Sequence, residues 1–254
     1  MTRFERGGVS GLARLGSMFG PGPAPDSVTT AVIAICVAAF LGLSVLDLLH
    51  VVDWDDAVGI FGISYVGVVR RLWLFEFMTA PFVHLDLTHL GFNMLSLWML
   101  GPDVERRLGR ARYVLFSALC GIASLAAFLT WSLGTGIVAF GYSGVIFGLL
   151  VAQATYFPDR MLMVWGLFPV RMRHAAPMLG AIELYLTLAA ERGGNIANVG
   201  HLSGALAAWA YLRWAVPRTT RAPIAAVPLA PRRQVPLAVP RPRPRRRHDV
   251  PWEL

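Results

Sequence analysis

The sequence predicts an all-α polytopic membrane protein with six transmembrane helices. The first observation is composition, because 56% of the 254 residues are hydrophobic and only 15% are charged, whereas soluble domains are about 45–50% apolar. The second is a series of six apolar segments of suitable length, since a helix crosses a bilayer in about 20 residues. The third is the clustering of arginine in alternate connections between those segments.

Residues 1–27 are predicted to form a short cytoplasmic arm. Arg3, Arg6 and Arg14 stand among Gly, Ser and Pro, and no continuous apolar core precedes a small-residue cleavage site. This pattern differs from that of a cleaved signal peptide.

Residues 28–216 are predicted to form the membrane domain. A mixed segment at 50–81 is predicted to be a long interfacial loop with some helix of its own. The apolar run Met161–Val170 is too short for a span and has charged residues at both ends, so it is predicted to be an interfacial connection. The six predicted spans are Val28–Leu49, Leu85–Leu100, Tyr113–Leu133, Tyr142–Phe157, Ala175–Ala190 and Ile196–Val216.

The positive charges predict the orientation of this domain. No lysine occurs, and most arginines lie in the N-terminal arm, in the connections after the second and fourth spans, and in the tail. A six-span arrangement puts these segments on one side, which the positive-inside rule makes cytoplasmic. Both termini are therefore predicted to be cytoplasmic. Arg70 and Arg71 are exceptions, in a loop long enough for the charge bias to weaken.

A serine between glycines, in Gly141-Tyr142-Ser143-Gly144, stands where a loop gives way to the fourth span. A serine hydroxyl becomes a nucleophile only when a base accepts its proton and donors stabilise the oxyanion that follows. Taken alone the motif is weak, because Gly144 and Gly148 also form a pair of small residues that lets membrane helices pack closely. The motif alone therefore supports two interpretations equally: close packing of membrane helices, and a nucleophilic serine.

Three further polar residues are predicted to reach the depth of Ser143. His89 and Asn93 lie in the first turns of the second span, and His201 lies near the start of the sixth. At about 1.5 Å per residue, all four lie roughly 5–12 Å below the outer surface. Polar groups are costly in a bilayer and are usually functional there. We therefore expect one site, with His201 as the base and the two residues of the second span as donors on one helix face.

The sequence predicts a serine–histidine dyad without a supporting carboxylate. Asp86 is at the outer edge of the second span, where a helix-start charge is the simpler interpretation. Glu183 lies within the fifth span, and the sequence identifies no partner or role for it. Phe147, four residues after Ser143, is predicted to pack its ring against an imidazole. Turnover is expected to rise with pH through a single histidine ionisation.

The ordered motifs resemble those of the rhomboid family of intramembrane serine proteases. The resemblance covers about Arg71 to Trp214 and is carried by four segments in the expected order. They are His84-Leu-Asp-Leu-Thr-His89-Leu-Gly-Phe-Asn93, Gly101-Pro-Asp-Val-Glu105-Arg106-Arg107-Leu-Gly109, Gly141-Tyr-Ser143-Gly144, and Asn198-Val-Gly-His201-Leu-Ser-Gly204.

The resemblance implies a role for each matching residue. Ser143 would be the nucleophile and His201 the base, in a six-helix rhomboid-like bundle. His89 and Asn93 would be oxyanion donors together with the Ser143 backbone N–H, and Gly141 would let the backbone approach them. Gly144 and Phe147 would support the nucleophile and His84 would brace the first loop. Membrane-protein substrates would enter between the second and fifth spans of a multi-pass protein in a bacterial plasma membrane, and no metal or organic cofactor is implied.

The sequence departs from the family pattern at three places. Phe75-Glu76 stands where the family often has Trp-Arg, so bracing of the first loop by an arginine is in doubt. Gly200 replaces the usual alanine before the base, and Ala208 replaces a usual glycine. The extra methyl group at 208 is expected to hold the fourth and sixth spans slightly further apart.

Two other functions compete with proteolysis. A rhomboid-like protein that only binds membrane clients would not need four level polar groups in lipid, and a small transporter would need paired charges along a path. Residues 217–254 are predicted to be a disordered Pro/Arg-rich cytoplasmic tail. Its predicted partner is anionic lipid, at about 1 kcal/mol per arginine near the surface, and nucleic acid is the weaker alternative.

Overall fold

The computed structural model describes residues 22–164, 168–189 and 196–217, and within them the protein is mostly helical. Six of the helices correspond to the six predicted spans. Two of these, α1 and α5, are long and apolar enough to cross a membrane, and α6 is a shorter apolar helix. The helices are α1 (Val28–Leu48), α2 (Trp54–Phe61), α3 (Glu76–Thr79), α4 (Leu87–Leu108), α5 (Arg110–Trp131), α6 (Ser143–Tyr156), α7 (Met172–Ala189) and α8 (Ile196–Ala210).

Helix α4 continues well past the predicted end of the second span at Leu100. The segment after Leu100 was expected to be a loop, but the helix runs through Pro102 to Leu108. One carbonyl near the proline is satisfied from outside the helix, because Gln153 donates from Nε2 to the Leu100 oxygen at 2.7 Å. Glu105 then uses the extra turns to reach the start of α1, where it accepts from the Val28 N–H at 2.8 Å.

The connection at 50–82 contains the local helix that the sequence predicts. Besides α2 and α3 it has a π-helical turn at Val66–Arg70 and a 3-10 turn at Ala80–Phe82. Strand β1 (Ile63–Ser64) pairs antiparallel with β2 (Val138–Ala139). The Gly141 N–H donates to the Ala80 oxygen at 2.9 Å. These backbone bonds attach the first loop to the chain that leads into Ser143.

The connection after α6 is a hairpin that the sequence did not predict. Strand β3 (Met161–Val164) pairs antiparallel with β4 (Phe168–Arg171). The run was correctly predicted to be too short for a span. The prediction did not include the strand pairing between β3 and β4. The predicted cytoplasmic arm and tail lie almost entirely outside the described residues.

The main cluster of buried residues lies mostly on α4, α5 and α6, and α8 packs against α5, α6 and α7. Glycines allow this approach: a methyl group on Gly204 would lie 2.2 Å from the Gly144 oxygen, and one on Gly148 would lie 2.7 Å from the Cys120 sulfur. Ala208 is fully buried against α6. Its Cβ would lie 3.3 Å from a methyl group on Gly148, so the glycine of α6 makes room for the alanine of α8.

Candidate active site

Ser143 and His201 form a hydrogen bond across the α6–α8 contact. Ser143 is the first residue of α6, and His201 lies in the second turn of α8. The Ser143 Oγ and His201 Nε2 atoms are 2.8 Å apart. This is the distance at which a hydroxyl can transfer its proton to an imidazole. The positive end of the α6 dipole also lies at Ser143, where it favours negative charge on oxygen.

Small residues around Ser143 allow this approach. A Cβ on Gly144 would lie 2.3 Å from Ser124 Oγ, and one on Gly200 would lie 2.9 Å from the same atom. The glycine that replaces alanine before His201 therefore makes room for a hydroxyl on α5. The close packing of Gly144 and the hydrogen bond of Ser143 occur together, so the two alternatives at this motif are compatible.

Phe147 packs on the imidazole as the sequence predicts. The ring centroids of Phe147 and His201 are 4.6 Å apart, and the ring planes differ by 7°. A stacked ring restricts rotation of the imidazole about its side-chain bonds. Phe147 thus helps to keep Nε2 directed at Ser143.

His89 presents a donor near the nucleophile. Its Nδ1 accepts from the Leu85 N–H at 3.3 Å, so a neutral ring carries its proton on Nε2. Gly141 has φ +105, and a Cβ there would lie 2.9 Å from His89 Nε2. Both the backbone angle and the close imidazole therefore require glycine at this position. Asp86 accepts from the His89 N–H at 2.7 Å, which confirms it as a helix-start residue.

Asn93 lies one turn further along α4 and is 5% exposed. Its Nδ2 donates to the His89 oxygen at 2.9 Å, which leaves the second N–H of the amide for another acceptor. A cavity of about 500 Å³ is lined by Asn93 together with Ser143, His89 and His201. The structure therefore brings the four predicted residues together at one cavity.

Glu183 corrects the expectation of a dyad without a carboxylate. Its Oε2 lies 3.2 Å from His201 Nδ1, on the side of the ring away from Ser143, and the Glu183 side chain is only 16% exposed. The sequence contained a usable signal. Glu183 stands seven residues before the predicted outer end of the fifth span, or about 10 Å at helical rise, which is the depth of the other site residues.

Two buried residues hydrogen-bond to the backbone of the first loop. His84 is 1% exposed, and its Nδ1 donates to the Phe82 oxygen at 3.3 Å. Burial lowers the pKa of His84 to about 4, so the ring is neutral at physiological pH. Glu76 is fully buried, and its Oε2 accepts from the Ser64 N–H at 2.9 Å. Glu76 thus braces this loop at the position where bracing by an arginine was in doubt.

The arrangement supports hydroxyl activation and oxyanion stabilisation. A hydroxyl paired with an imidazole, beside a helix N-terminus and two side-chain donors, is the set of groups that acyl transfer requires. Within the described ranges, no group of three or more His, Cys, Asp and Glu side chains is placed to hold a metal ion.

Comparison with known proteins gives one family. A family model described as the rhomboid domain matches residues 71–218. The chain is similar to the putative rhomboid protease YdcA of Bacillus subtilis, with 35% identity over 123 residues that cover 48% of this chain and 58% of the relative. It is also similar to the rhomboid protease GlpG of Serratia proteamaculans, with 27% identity over 206 residues that cover 78% of this chain and 63% of the relative.

A plant protein belongs to the same set of relatives. Rhomboid-like protein 15 of Arabidopsis thaliana is 28% identical over 158 residues, which cover 57% of this chain and 38% of the relative. The chain therefore spans less than two thirds of the length of these curated relatives.

Proposed function

This chain belongs to the rhomboid family, a family of membrane proteins, and on that premise we propose that it is an intramembrane serine endopeptidase. Its substrates would be membrane proteins, cut in or beside their transmembrane segments. The observation that carries the proposal is the 2.8 Å contact between Ser143 Oγ and His201 Nε2, at a cavity that His89 and Asn93 also line.

The reaction uses these residues in two halves. Ser143 Oγ attacks the carbonyl carbon of the scissile bond while its proton moves to His201 Nε2. The oxyanion is held by the Ser143 backbone N–H, the His89 Nε2–H and the free N–H of Asn93. His201 then gives its proton to the leaving amine, and the C–N bond breaks. A water molecule then gives a proton to His201 and attacks the acyl carbon. The bond between that carbon and Ser143 Oγ breaks, and His201 returns the proton to Ser143 Oγ.

In the proposed topology, the six helices that correspond to the predicted spans cross the bilayer, and both termini lie in the cytoplasm. Arginines at the α4–α5 junction and around the β3–β4 hairpin support this orientation under the positive-inside rule. The cavity at Ser143 then opens toward the outer side of a bacterial plasma membrane. Substrate helices would enter between α4 and α7. The basic tail at 217–254 would bind anionic lipid.

Non-proteolytic binding of membrane clients is the alternative function. The four polar side chains argue against it, because a protein that only binds has no need of an aligned hydroxyl and imidazole in lipid.

The test is cleavage in vesicles by the full chain. Purified protein and a single-span membrane substrate are reconstituted together, and products are identified by mass spectrometry. We expect cleavage by wild type and by Ser44→Ala, a control whose hydroxyl donates to the Phe40 oxygen of its own helix. Ser143→Ala should leave the substrate intact. Co-purification of substrate without cleavage by any variant, across a panel of substrates, would favour the client-binding alternative.

A further inference from the structure

Glu183 is an acidic residue in a part of α7 whose exposed side chains are apolar. The exposed residues of α7 around it include Met178, Ile182, Leu184, Tyr185, Leu186 and Leu188. Against this background the Glu183 side chain is turned inward and is 16% exposed. A carboxylate within a membrane segment is costly, so it is retained only where a partner or a function compensates.

The inward partner of Glu183 is the candidate base. Glu183 Oε2 is 3.2 Å from His201 Nδ1, while His201 Nε2 is 2.8 Å from Ser143 Oγ. Phe147 stacks on the face of the same ring. The imidazole therefore has a neighbour at each nitrogen and on one face, and the carboxylate lies at the nitrogen that the serine does not contact.

Among the residues that the structure describes, neither atom of this contact has another partner. Within the described residues, Glu183 Oε2 and His201 Nδ1 are both buried and make no hydrogen bond of good alignment. The 3.2 Å between the two atoms is within the range of an ion pair. Catalytic hydrogen bonds are often long or poorly aligned before substrate binds and tighten afterwards, so this separation is compatible with a bond in the substrate complex.

We propose that Glu183 is a positioning residue that extends the Ser143–His201 pair into a serine–histidine–glutamate triad. The inference rests on the proposed function. Glu183 accepts from the Nδ1–H of His201, which fixes the tautomer that leaves Nε2 free to receive the Ser143 proton. When that proton arrives, the carboxylate stabilises the imidazolium. The Nδ1 proton stays on His201 throughout, so Glu183 neither gains nor loses a proton.

Few other titratable groups act on His201 from the helices around it. Within the described residues, His89 faces it across the cavity from α4, and Asp86 lies beside His89 at the start of that helix. The charged residues of α5 lie in its first turn, at the opposite end from Ser143. Glu183 is thus the carboxylate in direct contact with the imidazole.

The test compares Glu183→Gln, which removes the charge, with Glu183→Asp, which keeps it. For Glu183→Gln we expect kcat to fall about 10²-fold, less than the roughly 10⁴-fold loss known for the buried aspartate of trypsin, with KM within twofold of wild type. The acid limb of the kcat profile over pH 5–9 should move to lower pH by about one unit, because an opposite charge beside the imidazole is lost. Glu183→Asp should lower kcat but keep the acid limb in place.

A matched control separates a local charge effect from a general one. Asp159→Asn removes an exposed carboxylate that pairs with Arg173 at 3.2 Å near the β3–β4 hairpin. We expect it to change neither kcat nor the pH profile. Wild-type kcat and an unshifted acid limb in Glu183→Gln would overturn the triad while leaving the proposed protease intact. Absence of cleavage by wild type would instead contradict the proposed function.

A measurement on wild type keeps the proposal testable if the glutamine variant fails to fold. Nitrogen-15 NMR of histidine-labelled protein at pH 8, assigned with His201→Ala, reports which ring nitrogen carries the proton. The triad predicts that His201 is protonated on Nδ1. Protonation on Nε2, with Nδ1 bare beside Glu183, would contradict it.

Discussion

Two polar clusters in this helical domain each contain a glutamate, but their hydrogen-bonding groups are occupied to different extents. In the Glu105 cluster, formed by Glu105, Thr29 and the Val28 backbone, both carboxylate oxygens are occupied: Oε1 accepts from Val28 N–H at 2.8 Å, and Oε2 accepts from Thr29 Oγ1 at 2.7 Å. In the Ser143 cluster, formed by Ser143, His201, His89, Asn93 and Glu183, buried atoms such as Asn93 Oδ1 make no hydrogen bond to a described residue.

The difference shows how to separate structural from chemical polar groups in such a bundle. The Glu105 cluster is saturated and joins the start of α1 to the end of α4, so its removal should affect stability. The Ser143 cluster surrounds a cavity of about 500 Å³ and keeps unused donors and acceptors there, so its removal should affect turnover. Variants in each cluster can break or sharpen this division.

The largest effect is expected at the base. His201→Ala removes the acceptor of the Ser143 proton, and in subtilisin the corresponding loss costs about 10⁶-fold in turnover. We expect cleavage to fall below detection while the melting temperature stays near that of wild type. His174→Ala, at an exposed histidine of α7, should cleave normally. Substantial residual cleavage by His201→Ala would show that another group accepts the proton.

The oxyanion donors are expected to come next. Asn93→Ala should lower kcat by about 10²–10³-fold, the loss known for one oxyanion donor in subtilisin. Asn93→Asp keeps the size of the side chain but replaces donors with acceptors, so it should be impaired as strongly. His89→Ala should fall in the same range. Complete loss in these variants, equal to that of His201→Ala with folding intact, would mean that the roles are misassigned.

The Glu105 cluster should give the opposite pattern. Glu105→Ala leaves the Val28 and Thr29 N–H groups without their acceptor, which should cost about 2–4 kcal/mol of unfolding free energy. The measurement is denaturant unfolding in detergent, with kcat determined on the folded fraction. We expect kcat to remain near wild type. A large loss of kcat with unchanged stability would break the division between the clusters.

The smallest effect is expected from pH acting on the first loop. Burial raises the pKa of Glu76, against a smaller opposite influence of its hydrogen bond from Ser64. The neutral form is therefore favoured on folding, and this stabilisation is complete below the unfolded pKa and lost as pH rises through the folded value. Glu76→Gln stays neutral and can keep the Ser64 bond. The melting temperature of Glu76→Gln minus that of wild type should increase as pH rises from 4 to 7. A difference that stays constant over this range would contradict the assignment.

Much of the site could be predicted from the sequence because depth follows from helix position alone. The apolar segments located Ser143, His201, His89 and Asn93 at one level, and the contacts of Asp86 and Phe147 followed from short-range helical spacing. Glu183 was missed although its depth was equally readable. Which face of α7 points inward depends on packing against α8, and the sequence does not specify that rotation.

The ends of elements were predicted less well for a related reason. Proline in a helix interior usually kinks or ends the helix, but α4 continues past Pro102, where Gln153 donates to the Leu100 oxygen and Glu105 accepts from the Val28 N–H at the start of α1. These partners are distant in the chain. The β3–β4 hairpin was missed because a short apolar run has the same composition whether it pairs as strands or lies in an interface.

The central claim is that Ser143 is an activated nucleophile, and covalent labelling tests it most directly. The folded full chain in detergent is treated with a fluorophosphonate probe, and the labelled residue is identified by peptide mass spectrometry. The account predicts that wild type and Ser44→Ala are labelled on Ser143, that His201→Ala is labelled far more slowly, and that Ser143→Ala is not labelled. Equal labelling of wild type and Ser143→Ala, or failure of folded wild type to react, would contradict it.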